Sequence, residues 1–328
     1  MALNYPRLDN ASGVWTMKEV TDAVRGGYWP NAGSGRILFG SGSNPSTTNT
    51  IEYITAATTG DSADFGDLTR STSGIMGKSA SSFTRGFWAG GDTSADVIEY
   101  VTIVTTGNAT DFGDLSDSRQ AGSGSNSTRA VVWNNATDEG ATIDYFQMAS
   151  LGNAIDFGDS TQAFKAALVE SPTRSIHAGG LTPSLLDVID YVSFTTTGDA
   201  VDFGNLTSAG SAYAGISNST RGTFCGGTDP ALSAKIQYIE MASTGNAIDY
   251  GDLSTAKQRG GGNTSSNRGI FGGGEAPGHQ DVIEYFNIPH GGNVVDFGDL
   301  TAGWYSLSAC SNAHGGLNDG NQGVVDTT

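Results

Sequence analysis

Apolar residues along this chain come in short runs, as in Arg36-Ile-Leu-Phe-Gly40, Arg85-Gly-Phe-Trp-Ala89 and Val97-Ile-Glu-Tyr-Val-Thr-Ile103. The runs are rich in Val, Ile, Tyr, Phe and Thr and are bounded by Gly, Asn, Ser and Asp. That pattern predicts β-strands separated by turns. An apolar spacing of three and four, which a helix would need, is not sustained within them. The 48 glycines point the same way, since each weakens a helix interior by ~1 kcal/mol relative to alanine.

The runs are periodic. Asp-Phe-Gly, or Asp-Tyr-Gly once, begins at Asp64, Asp111, Asp156, Asp202, Asp249 and Asp296, a spacing of 45–47 residues. Repeats of this length indicate propellers, solenoids or arrays. The second unit shows the segments: Arg85 to Gly91, Val97 to Ile103, a Thr105-Thr-Gly-Asn108 turn, then Ala109 to Leu115. A fourth segment runs through Gly122-Ser-Gly-Ser125 to the turn Asn126-Ser-Thr128, where Arg129 restarts the cycle. Four short strands in each of six units predict an all-β, six-bladed β-propeller with four-stranded blades, because ring closure removes the exposed edges of small sheets.

The ends supply the closure. Trp304-Tyr-Ser-Leu-Ser-Ala-Cys310 is one strand followed by Ser311-Asn312, and the first unit lacks that same strand. Pairing of this C-terminal strand with the first blade would complete the ring. The expected organisation is a leader over 1–35, the propeller over 36–316 and a tail over 317–328. In the leader, Thr16-Met-Lys-Glu19 has capping-box spacing, and a short helix over Met17 to Arg25 follows, stopped by Gly26-Gly27. Trp15, Tyr28 and Trp29 are aromatic anchors of a docking arm for a partner subunit, or of a plug on the chain's own ring.

Each repeat runs from an arginine through a strand ending in Gly-Gly (Gly90-Gly91 in unit two) to an Ile-Glu-Tyr strand (Tyr100) and a late aromatic (Phe112). This order resembles the kelch repeat, over about residues 36 to 316. Two departures are Phe in place of the usual Trp and Trp133-Asn134-Asn135 in place of the third Gly-Gly pair. The wording Ile-Glu-Tyr, Thr-Thr-Gly-Asn-Ala, Asp-Phe-Gly-Asp-Leu and Ser-Asn-Ser-Thr-Arg resembles repeats of bacteriophage tail-fibre and other virion proteins. The leader, from Ala11 to Pro30, resembles elements that introduce domains in such fibres. The resemblance implies a non-enzymatic virion structural or adhesin protein, made in a host cytoplasm, docking on other virion subunits through its arm.

Charge narrows the partners. A net charge of −18 leaves no basic stripe for phosphates, which argues against nucleic acid. No apolar run reaches the ~20 residues of a membrane helix, and Met1 to Arg7 lacks signal-peptide organisation. Cys225 and Cys310 fall in different units and suggest no disulfide framework. Host-surface glycan or protein is the expected partner class, and a homo-oligomer is compatible.

Catalytic readings are weaker. Gly60-Asp-Ser-Ala-Asp-Phe-Gly-Asp67 resembles a sparse calcium loop, yet it repeats six times, as turn-capping aspartates would. Arg85, Arg129, Arg174, Arg221 and Arg268 are related by the repeat, so they are expected to bond nearby carbonyls or carboxylates. A copper enzyme of the galactose oxidase kind needs convergent ligands, whereas His177, His279, His290 and His314 are scattered. Gly272-Gly-Gly274 is no phosphate loop, because Lys-Ser/Thr does not follow it. No metal or cofactor is expected. The alternative function is a carbohydrate-active enzyme, sialidase-like or glycoside-hydrolase-like, on the same ring.

Comparison of the six copies locates recognition. The Thr-Gly-Asn and Ser-Asn-Ser-Thr turns are nearly uniform, but the connection between the Gly-Gly strand and the Ile-Glu-Tyr strand differs in every unit. Variable loops on a rigid scaffold are where binding is usually placed. The candidates are Asn44, Asp92, Trp133, Asn134, Leu181, Asp229 and His279.

Overall fold

The computed structural model describes residues 35–312, apart from 76, 93–94, 135–140, 163–166, 182 and 266. It is a six-bladed β-propeller. Blade 3 shows the pattern: Ala121–Ser125 innermost, then Arg129–Asn134, Thr142–Gln147 and Ile155–Asp159 outermost, each antiparallel to the last. Blades 4, 5 and 6 repeat this order, with inner strands Ala167–Glu170, Ala214–Ser217 and Gly261–Thr264. The fourth segment of each sequence repeat therefore forms the inner strand of the following blade. Among the described residues there is no helix; the expected leader helix, Trp15, Tyr28, Trp29 and the tail lie outside them.

Blade 1 is built from both ends of the ring. Ser308–Ser311 pairs antiparallel with Arg36–Gly40, matching Cys310 to Leu38 and Ala309 to Phe39. In other blades an Asn or Ser side chain in the turn between the two inner strands accepts from the arginine N–H, as Asn126 Oδ1 does from Arg129 at 2.8 Å. In blade 1 the same bond runs from Arg36 N–H to Asn312 Oδ1, also 2.8 Å.

Blade 2 departs from the rule at its centre. Gly77–Lys78 pairs in parallel with Ser308–Ser311 of blade 1, and rejoins its own blade through the Ser81–Gly86 bridge. This puts Lys78 across the axis. Its side chain is 1% exposed, with Nζ 2.8 Å from Glu170 Oε1 and 2.9 Å from Ser217 Oγ. Burial pushes the Glu170 carboxyl above its ordinary range, against the pull of Lys78. Around the pair, hydroxyls tie inner strand to inner strand: Ser81 N–H to Ser125 Oγ at 2.9 Å, and Ser311 Oγ to the Thr264 carbonyl at 3.0 Å.

The core lies between blades, and three latches recur at each junction. At the rim, the Asp-Phe-Gly phenylalanine is buried edge-on to the Ile-Glu-Tyr tyrosine, as in Tyr100–Phe112 at 5.7 Å. The glycine beside it lies under the neighbouring turn. A Cβ on Gly113 would come within 2.4 Å of the Gly152 carbonyl. The next N–H then reaches that turn's Asn or Asp, at 3.1 Å in every case from Asp67–Asn108 to Asp299–Asp61. The Asn or Asp of the uniform turn is thus turn chemistry, while the residue after the glycine takes part through its backbone N–H rather than its side chain.

The arginines form the second latch. Arg36, Arg85, Arg129, Arg174, Arg221 and Arg268 each lie over the tyrosine of their own blade, 4.5–5.1 Å from its centroid. Each also donates to a carbonyl of the next blade, from Arg36 to Ile103 at 2.9 Å round to Arg268 to Ala56 at 3.0 Å. The expected bonding to carbonyls is what they do.

The third latch is the middle residue of Ile-Glu-Tyr. Glu52, Glu99, Asp144, Asp190, Gln237 and Glu284 are all buried, and each accepts from a Ser or Thr in the connection leaving the preceding blade. A buried carboxylate needs such donors. Arg119 adds a bond to Asp144 at 2.5 Å and Lys257 one to Glu284 at 2.8 Å.

Candidate functional site

The latches divide the ring into unlike faces. The arginines and the uniform turns lie on one. The described parts of the variable loops and of the blade-to-blade connections lie together on the other, with bonds between them. Gly42 N–H donates to Thr72 O (3.0 Å), Ser43 to Tyr305 (3.0 Å), Asp92 to Ser73 (2.7 Å), Gly227 to Lys257 (2.9 Å) and Gly274 to Trp304 (2.8 Å). Gly35 and Asn312, where the described chain enters and leaves the ring, belong to the uniform face, beside the Arg36 turn.

Two of the predicted residues meet. Asn44 of the blade 1 loop donates from Nδ2 to the Gly303 carbonyl at 2.6 Å. Its Oδ1 lies 3.0 Å from Nδ1 of His279, in the blade 6 loop. The imidazole is exposed and packs on Tyr305, with ring centroids 4.6 Å apart at 31°. Tyr305 belongs to the connection between those blades.

The others are dispersed. Asp92 accepts from Ser73 Oγ and from Gln120 Nε2, the latter at 2.8 Å. Asp229 accepts from Ser208 Oγ and pairs with Lys235 at 3.3 Å. Leu181 is 40% exposed at the end of a hairpin in which it faces Leu185. Trp133 and Asn134 are strand residues, not loop residues, and both are buried. Trp133 stacks on His177 at 4.9 Å and donates from Nε1 to Ser175 Oγ at 2.9 Å. The non-glycine sequence at that point fills the core rather than offering an aromatic to a partner. Burial drives His177 down to about 3, so it is a neutral core ring.

No protein-family model matches the chain, and no curated protein matches it. The site therefore rests on its own chemistry. The crevice between blades 6 and 1, lined by Phe39, Ser41, Thr50, Glu52, Trp304 and Leu307, has no room for a water-sized sphere, whereas small-molecule sites are concave pockets of ~300–1,000 Å³. Among the described residues no group of three or more His, Cys, Asp or Glu could hold a metal ion.

Sequence reading missed the groups that connect the loops. Thr228 Oγ1 donates to Gln258 Oε1 at 2.5 Å, and Gln258 Nε2 donates to Glu275 Oε2 at 3.0 Å. Glu275 bridges to His279 within its own loop, and His279 leads to Asn44. Loops of blades 5, 6 and 1 thus share one polar network. Its only sequence signal was departure from the repeat, at Gln258, Glu275 and Tyr305.

Proposed function

We propose that this propeller is a non-enzymatic, kelch-like virion protein, a tail-fibre or surface-exposed adhesin module of a bacteriophage, that binds a host surface or a neighbouring subunit through its variable loops. The observation that carries this reading is the contrast between faces. Six near-identical copies of turn and arginine latch build one face, while the other bears a different loop on each described blade. In blades 1, 2, 5 and 6 the strand end that leads into the variable loop bonds to a blade-to-blade connection in each case, although the loop sequences differ. The likeness of the repeat wording to phage virion repeats supports the same reading. So does the engagement of each buried middle residue of the Ile-Glu-Tyr strand by a serine or threonine N–H or hydroxyl of a connection, which gives it a part in a ring latch.

On this reading the leader and tail, joined to the ring on the uniform face, tether the module to the particle, and the loop face points outward. Replacing the variable loops with Gly-Ser segments is expected to abolish binding to the host surface or partner while the melting transition persists. Binding retained after full exchange overturns the proposal. Cryo-electron microscopy of the native particle is expected to place this chain at a tail or capsid surface.

A further inference from the structure

Building on the loop-face reading, we infer that the arc formed by the loops of blades 5, 6 and 1 is a preformed subsite for an uncharged, hydroxyl-rich ligand, a saccharide in chemical class, anchored on His279. Three observations converge on it.

The first is the orientation of His279. The Gly303 carbonyl accepts from the Asn44 amide nitrogen, which turns the Asn44 oxygen toward the imidazole. Nδ1 of His279 must then carry its hydrogen and donate. In the neutral ring Nε2 then carries the lone pair, on an imidazole that is exposed, as when the partner of one ring nitrogen sets the role of the other. Tyr305 backs one face of that ring. A flat surface with one fixed acceptor at its edge suits a sugar, whose C–H face can pack while a hydroxyl donates.

The second is rigidity. The chain Thr228–Gln258–Glu275, with each amide atom of Gln258 committed, holds the blade 5 loop to blade 6. The His279–Asn44 contact holds blade 6 to blade 1. Groups fixed before binding lose little freedom on binding.

The third is charge. The described residues include twelve lysines and arginines. Six are the ring arginines that bond the carbonyls of the next blade. The other six, Arg70, Lys78, Arg119, Lys235, Lys257 and Arg259, each have a carboxylate partner within 4.0 Å. An anionic ligand finds no uncommitted cation among the described residues. A cationic one meets Glu275 already held by Gln258 and Arg259. A hydroxyl donor meets the His279 lone pair. Sites built to hydrogen-bond a hydroxyl discriminate against ligands that lack it.

The test is saturation-transfer NMR and glycan-array binding of the full chain, probed with neutral hexose and N-acetylhexosamine oligosaccharides beside sialylated, sulfated and protonated-amine counterparts. Binding is expected to neutral probes. His279→Ala and Asn44→Ala should each weaken it tenfold or more while keeping a single cooperative melting transition, and the rim variant Asp111→Asn should leave binding unchanged. Binding confined to charged probes, no binding to any probe, or a loss under tenfold in both variants overturns the subsite. If loop exchange abolishes native surface binding but His279→Ala does not, the subsite falls and the loop-face reading stands. If loop exchange itself has no effect, the loop-face reading falls.

Discussion

At the residue scale, glycine and histidine show how local chemistry is set by a neighbour. Gly107 and Gly113 have nearly the same φ, +152° and +153°, but a Cβ on Gly107 would meet nothing within 4 Å, while one on Gly113 would strike the Gly152 carbonyl. Backbone strain in this region costs ~1–3 kcal/mol for a non-glycine residue. Gly107→Ala is expected to lose about that much in urea unfolding, and Gly113→Ala more, the difference reporting the contact between blades. His177 has the pH dependence. Its folded value, about 3, lies below the unfolded histidine value of ~6.5. The unfolded chain therefore binds the proton first, and stability falls as pH drops from ~6.5 toward 3, by ~1.4 kcal/mol per unit. Phe occupies the equivalent strand position in blades 5 and 6, at Phe224 and Phe271. His177→Phe is expected to flatten the loss of melting temperature between neutral pH and pH 4; an unchanged slope would refute the buried-neutral assignment.

At the element scale, the strands were legible because every repeat writes them with the same alternation and the same stops. The arginine and Asp-Phe-Gly positions could be recognised as structural because six copies cannot all be one active site. What could not be read was direction. Trp133 falls where the other repeats have Gly, Ala or Cys, and nothing in the sequence says that its ring turns inward onto His177. The inner strand of blade 2 was equally opaque, since Lys78 sits among small residues and its partner Glu170 lies two blades away. Losing one member of a buried ion pair typically costs ~3–5 kcal/mol, whereas replacing both with apolar groups is often neutral. Lys78→Met should therefore destabilise strongly, and adding Glu170→Leu should restore much of the loss in the same denaturation assay. Two additive losses would show that the pair does not act as a unit.

At the scale of the whole molecule, periodicity and the missing strand of the first unit were enough to indicate a closed ring, because a four-stranded blade with one strand absent points to the segment that fills it. Deleting residues 303–328 removes the inner strand of blade 1 and the Asn312 cap together. Small-angle scattering is expected to show an expanded particle, with loss of the cooperative melt; an unchanged transition would refute closure by this strand. The loop face was legible as variable and no further, since which loops touch depends on side chains outside the repeat, such as Tyr305.

The bond from Arg36 to Asn312 carries one more implication. At the other five positions the peptide chain itself passes through the turn, and here a side-chain amide spans a break with the same partner and the same 2.8 Å reach seen at Asn126. The cap therefore does not depend on the peptide link: a permutant opened between Asn126 and Arg129, with the present ends joined, is expected to close its blade with the same bond and to melt cooperatively.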